Sequence, residues 1–336
     1  MSPRAAGAVM IALAVAVLIA AVIGMMVGAY PVSVDGALEA VARLWSGTAP
    51  QTAEERVLLS VRGPRVLAGL IVGAALAGAG TVYQGLFRNP LVSPDILGVS
   101  AGAGLGAVFG IFLALPLIAI QGLAFAGGLA TVALVYVIAS AVRGRDPTLV
   151  LVLGGVVVGA LAGAAISLLK ILADPYDQLP AITFWLLGSL ASTRTSEVVS
   201  ALPAVGIGLV PLVLLRWRIN ALSLGDEEAR SLGVEAGRVR AVVIAAATLI
   251  TASVVAISGV IGWVGLVIPH IARMIVGPNF ERLLPVAMMM GAAYMVLVDT
   301  LARSLGRIEV PIGILTAVVG APFFLWLLWR GRHGWS

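Results

Sequence analysis

From Ala5 to Tyr30 the chain runs without a charged residue, and stretches of the same kind, with charge absent or held near their ends, return nine more times before Trp329. About 20 apolar residues cross a bilayer as a helix, because in hydrocarbon each backbone N–H and C=O must be satisfied within the segment. Ten such runs in succession leave room for little else. Runs between charges and Gly/Pro turns place the further spans at Arg65 to Leu86, Ile96 to Leu115, Ile118 to Val142, Thr148 to Leu172, Glu197 to Arg216, Val239 to Ile257, Val260 to Val276, Leu284 to Leu305 and Ile312 to Trp329. Pro180 to Leu190 is also apolar, but at about 1.5 Å rise per residue it reaches roughly half a hydrocarbon core and is expected to dip in without crossing. The expected fold is an all-α polytopic membrane protein, residues 1–336 forming a single transmembrane domain.

Composition agrees. The chain is 60% hydrophobic and 11% charged, where a soluble domain carries about 25% charged residues, so no water-soluble catalytic domain fits. The first run is longer than the roughly 7–15 residues of a signal-peptide core, which makes it the first span, with the N-terminus inside. With no Cys and two distant histidines, His270 and His333, neither disulfides nor a metal site is expected. The net charge of +5 arises from 20 Arg and one Lys. No basic cluster is interleaved with aromatics, which argues against nucleic-acid binding.

Counting these cations tests the topology. Ten crossings put thirteen inside (Arg4, Arg88, Arg143, Arg145, Arg216, Arg218, Arg230, Arg238, Arg240, Arg273, Arg282, Arg330, Arg332) and eight outside (Arg43, Arg56, Arg62, Arg65, Lys170, Arg194, Arg303, Arg307), in line with the positive-inside rule. Within the spans, glycines recur at four-residue spacing, as in Gly98, Gly102, Gly106 and Gly110, which lets helices approach closely in lipid. Charge is nearly absent at depth. Asp299 and Arg303, one turn apart near an outer end, are expected to neutralise each other, and His270 to bond within a helix end. A proton or ion relay needs ionisable groups inside the membrane, and an intramembrane hydrolase needs a catalytic constellation. Neither is present in the sequence, nor is a phosphate-binding Gly-x-x-x-x-Gly-Lys-Ser/Thr loop. A secondary transporter or a channel for a small solute is the alternative class, and any driving energy is expected from outside the chain.

The longest inner loop, residues 219–238, reads as two very short helices joined by glycine. Asp226 suits a helix start, with Glu227 and Glu228 favouring its dipole, Gly233 suits the residue after its end, and a second helix is expected from Val234 into the next span. Leu222, Leu224, Leu232 and Val234 are apolar residues on an inner surface, a knob that a partner protein can grip.

Several separate motifs resemble those of the permease subunits of type II ATP-binding-cassette importers, the FecCD-like family for iron siderophores, haem and vitamin B12. They are Arg62-Gly63-Pro64-Arg65, Arg88-Asn89-Pro90-Leu91, Leu97-Gly98-Val99-Ser100, Leu222-Ser223-Leu224-Gly225-Asp226, Ala229-Arg230-Ser231-Leu232-Gly233, Pro269-His270-Ile271-Ala272-Arg273, Asp299-Thr300-Leu301-Ala302-Arg303 and Gly320-Ala321-Pro322. The resemblance covers nearly the whole chain. It implies ten helices with both termini cytoplasmic, a bacterial or archaeal inner (cell) membrane, and a homodimer whose path follows the two-fold axis. It also implies two ATP-binding-cassette ATPase subunits holding ATP and Mg on the inner face, with no cofactor in this chain, and a periplasmic or lipoprotein binding protein outside. On this resemblance Leu224, Gly225, Asp226, Glu227, Glu228, Arg230, Leu232 and Gly233 couple to the ATPase, and Asn89, Leu91 and Thr148 form a cytoplasmic gate. Arg62, Arg65 and Arg303 dock the binding protein. The family's cargoes include ferric siderophores, haem, cobalamin and some oxyanions, and the path residues form no readable code among them.

Overall fold

The computed structural model describes residues 3–142, 147–306 and 308–330. Arg143, Arg145, Arg307 and Arg332, counted above for topology, and His333 lie outside the described residues. Among the described residues the chain is helical throughout, with no strand. Helices α1 (Pro3–Met26), α2 (Val34–Ser46) and α3 (Ala53–Arg56) come first, and a π turn at Val57–Arg62 carries α3 into α4 (Gly63–Leu86). Next are α5 (Val99–Phe112), α6 (Leu117–Ala141), α7 (Pro147–Leu172), α8 (Gln178–Leu187) and α9 (Thr195–Leu214). The short pair α10 (Arg216–Leu224) and α11 (Asp226–Ser231) precedes α12 (Ala236–Ser258), α13 (Val264–Val276), α14 (Phe280–Ala302) and α15 (Ile312–Arg330).

Among the described residues seven helices are long and apolar enough to cross a membrane: α1, the run Ala53–Leu86, α6, α7, α9, α12 and α14. The spans read as Ile96 to Leu115, Val260 to Val276 and Ile312 to Trp329 appear as shorter apolar helices, Val99–Phe112, Val264–Val276 and Ile312–Leu327. Two of these shortenings share a cause. A 3₁₀ turn at Pro94–Leu97 and Gly98, at φ 79°, precede α5, while Gly259 at φ 67° and Trp263 at φ 70° hold the chain non-helical ahead of α13. Such backbone survives at membrane depth where protein covers it. Here Ser189 donates its N–H to the Ser258 carbonyl at 2.8 Å, and Ile312 donates to Gly188 at 3.0 Å. Helix α2 lies between the first two expected spans, and its signals are local: Ser33 caps its start by accepting from the Gly36 N–H at 3.0 Å, and Gly47 at φ 67° ends it.

The helices form a buried inner set and a peripheral set. In the most apolar window of each span, 78% of residues are buried in the run Ala53–Leu86 and 72% in α12, against 11% in α1. Leu, Ile and Val on α1, α6 and α7 face outward, which costs nothing where the surroundings are lipid tails. Glycine sets the spacing of the inner set. A Cβ on Gly73 of α4 would lie 2.1 Å from the Gly291 carbonyl oxygen of α14, and one on Gly80 would lie 1.9 Å from the Gly265 oxygen of α13. Likewise a Cβ on Gly106 of α5 would meet the Leu123 oxygen of α6 at 2.0 Å. The four-residue glycine spacing is thus used for packing.

Gly73→Ala forces α4 away from α14 and is expected to cost about 1–3 kcal/mol, read as a lowered midpoint in detergent unfolding. Gly85→Ala, with nothing within 4 Å of the added methyl, is expected to leave the midpoint nearly unchanged.

Candidate functional site

Chemistry-bearing residues gather at the two ends of the bundle. At one end, α9 stops at Leu214 and the chain turns into α10, pinned to the start of α14 by Asn220, whose Oδ1 accepts from the Phe280 N–H at 2.7 Å. Gly225, at φ 143° and ψ 163°, breaks α10 from α11. That φ is one side chains rarely adopt, which suits glycine at the corner; a Cβ there would also meet the movable tip of Glu228 at 2.2 Å. Helix α11 opens on Asp226, Glu227 and Glu228, as its dipole favours. Asp226 is anchored by Arg240, Nη2 to Oδ1 at 2.7 Å.

Burial divides the four apolar residues of this loop into two pairs. Leu222 and Val234 are fully packed, together with Ala229, whereas Leu224 and Leu232 are 63% and 49% exposed. Glu227, Glu228, Arg230 and Gly233 are exposed beside them. The result is a knob fastened from below that presents two leucines among charges. The expected second helix from Val234 is corrected: Val234 gives its N–H to the Ala229 carbonyl at 2.8 Å, closing the end of α11, and α12 begins at Ala236. The partner helix of the pair is α10, which precedes Gly225 and whose first residue, Arg216, had been read as the end of a span.

The loop after α4 lies against this knob. Arg88 has φ 48°, and its Nη1 lies 3.5 Å from where a Gly225 Cβ would be. Asn89 Oδ1 accepts from the Leu91 N–H at 2.9 Å, an Asx turn that leaves both residues exposed. Thr148 is in the first turn of α7, farther along which Gly155 packs on the Ile96 carbonyl of the 3₁₀ turn. Arg88 and Asn89 also line a cleft of about 370 Å³ with α10 and α13, which carries His270 and Arg273 into it.

At the opposite end, Arg62, Arg65 and Arg303 depart from the expectation of free rim cations, being only 3%, 5% and 9% exposed. Arg62 donates to the carbonyls of Met25, at 2.8 Å, and Met26, at 3.0 Å, and also to Tyr30, tying the end of α1 to the π turn. Arg65 Nε lies 2.8 and 2.9 Å from the two carboxylate oxygens of Asp299, while its Nη1 and Nη2 grip Glu309 at 2.8 and 2.9 Å. Arg303 donates to the Gly24 carbonyl and stands 3.7 Å from Asp299. The expected pairing of Asp299 with Arg303 is therefore secondary. Its stronger partner, Arg65, comes from another helix, and neither that pairing nor the role of Glu309 carries a local sequence signal. Nor did sequence reading single out Asp95, held by the Ser100 hydroxyl at the start of α5.

Asp299→Asn leaves Arg65 and Arg303 without their buried counter-charge and is expected to destabilise by about 3–5 kcal/mol in detergent unfolding. Arg65→Met together with Asp299→Met is expected to recover the part of that loss that falls on Arg65.

Known proteins share this fold. The sequence model of the FecCD transport family matches residues 15–330. The molybdate import system permease MolB of Haemophilus influenzae is 39% identical over 99% of this chain and 99% of its own. The cobalamin import system permease BtuC of Halobacterium salinarum is 42% identical over 83% of this chain and 74% of its own. A solved inward-facing transporter, described as of metal-chelate ATP-binding-cassette type, superposes with a TM-score of 0.87 at 39% identity, covering 96% of this chain and 99% of that one. The chain belongs to the FecCD transport family and is a multi-pass permease subunit of an ATP-binding-cassette import system.

Proposed function

We propose that the chain moves a metal chelate of the ferric siderophore, haem or cobalamin kind across the bacterial or archaeal inner membrane, by alternating access along the axis of a homodimer. Ten crossings are completed by the three shorter helices α5, α13 and α15, which places both termini and the α10–α11 knob in the cytoplasm. Two ATPase subunits, which bind the ATP and Mg, grip that knob. A periplasmic or lipoprotein binding protein delivers cargo at the Arg62–Asp299 end.

The observation that carries this reading is the knob itself. Leu224 and Leu232 stay exposed while Leu222, Ala229 and Val234 anchor the two helices in the core. Exposed apolar residues on a rigid base favour a protein partner. The loop with Asn89 and Leu91 abuts α10, so motion of the knob reaches the gate through direct contact, with Thr148 on the neighbouring α7. At the other end Arg62, Arg65 and Arg303 serve the binding protein by holding the frame on which it lands, since internal partners occupy them.

Reconstituted in liposomes with its ATPase and binding protein, the chain is expected to take up cargo only while ATP is hydrolysed. Uptake by the chain alone, responding to an ion gradient, would instead make it a secondary transporter or channel. Leu232→Asp is expected to leave ATP hydrolysis by the ATPase in place while uptake falls at least about tenfold, the loss of roughly 1.4 kcal/mol or more of coupling. Normal uptake in that variant removes the knob from the coupling path.

A further inference from the structure

The cleft between the end of α4, α10, α13 and the start of α14 carries a charge imbalance that the transport reading does not use. Arg88, His270 and Arg273 line it, and no carboxylate does. Among the described residues no hydrogen bond or ion pair reaches either guanidinium. The acid nearest on α14, Glu281, is already taken by Arg216 at 3.2 Å. Glu228 approaches from beyond Gly225, but it forms no ion pair with Arg88 among the described residues.

The neutral groups around the cleft are mostly occupied. Asn220 bonds Asn279 through Nδ2 and the Phe280 N–H through Oδ1, Ser223 donates to the Asn220 carbonyl at 2.7 Å, and Thr81 donates to Ala77 at 2.8 Å. Gln84 is the exception. It is 2% exposed, its Nε2 donates to the Leu266 carbonyl at 3.0 Å, and its Oε1 has no partner. That oxygen is closed off from the cleft, so what the cleft presents is two guanidiniums with no anionic partner among the described residues. An oxyanion in the cleft supplies the missing counter-charge. Two arginines supply the forked donors that suit phosphate oxygens, and basic pockets between membrane helices bind phosphate headgroups on the same principle.

We infer that this cleft is a binding site for a phosphate-type oxyanion, held by Arg88 and Arg273 beside His270. An anion there bridges α4 to α13 beside the loop carrying Asn89. The cleft is lined by α10 as well, so occupancy bears on the contact between that loop and the knob.

The test uses the full chain in neutral detergent and in nanodiscs. Inorganic phosphate, compared with chloride at matched ionic strength, is expected to raise the unfolding temperature by about 2–4 °C when present at roughly tenfold its dissociation constant. Arg273→Gln and Arg88→Gln are each expected to abolish that shift, while Arg238→Gln, outside the cleft, retains it. Nanodiscs of phosphatidylglycerol against phosphatidylcholine separate the sources: an Arg273-dependent shift with the anionic lipid alone assigns the site to a headgroup, and one with free phosphate assigns it to a soluble anion. Equal shifts in chloride and phosphate with no lipid effect overturn the inference, as do unchanged shifts in both arginine variants. Loss of ATPase affinity in Arg273→Gln without any response to either probe also overturns it, and gives the cleft to an acidic side chain of the ATPase.

Discussion

Contact of the α4 backbone with α14 and α13 is the constraint on which the rest of the structure depends. Gly73 and Gly291 face each other so closely that neither position has room for a Cβ, and Gly80 lies against the Gly265 carbonyl. In lipid there is little hydrophobic drive for one helix to leave the tails for another, so close backbone approach and the dispersion it brings do that work. Once α4 is held this way, its two ends are fixed as well. One delivers Arg62 and Arg65 to the ends of α1 and α14, and the other delivers Gln84, Arg88 and Asn89 to α10 and α13.

Charge in this protein serves two kinds of purpose, separated by burial. At the Arg65 end, three guanidiniums are consumed by Asp299, Glu309 and main-chain carbonyls of α1. Such pairing offsets the desolvation that burial of these groups imposes. At the knob end, most charge stays exposed around Leu224 and Leu232, with one anchoring pair, Asp226 and Arg240. One end is internally laced, and the other is left available for contact.

The knob also shows how a rigid surface is made from a short loop. Two helices of nine and six residues would not persist alone. They persist because Leu222, Ala229 and Val234 pack into the main core and Asn220 bonds the start of α14. Gly225 turns between them at a φ of 143°, which other residues rarely adopt. A push on the exposed leucines is therefore carried by packed elements into the α4 loop and α14.

Much of this was legible from residues alone. The apolar runs set an all-helical membrane protein, since runs of about 20 apolar residues fit a helix rather than a barrel strand, and the Asp226-to-Gly233 signals marked α11 because helix-end and glycine-corner preferences are local. Glycine spacing foretold close packing for the same reason. Which helix each glycine meets, and whether a cation is free or spent, depended on residues far apart in sequence: Arg65 lies 234 positions from Asp299 and 244 from Glu309. The lengths of α5 and α13 were equally hidden, because the non-helical backbone ahead of them is tolerable only once other helices cover it. Sequence determined the solvent and the elements; tertiary structure alone decided which charges were buried and which remained free, because that choice is made by partners brought together only when the bundle closes.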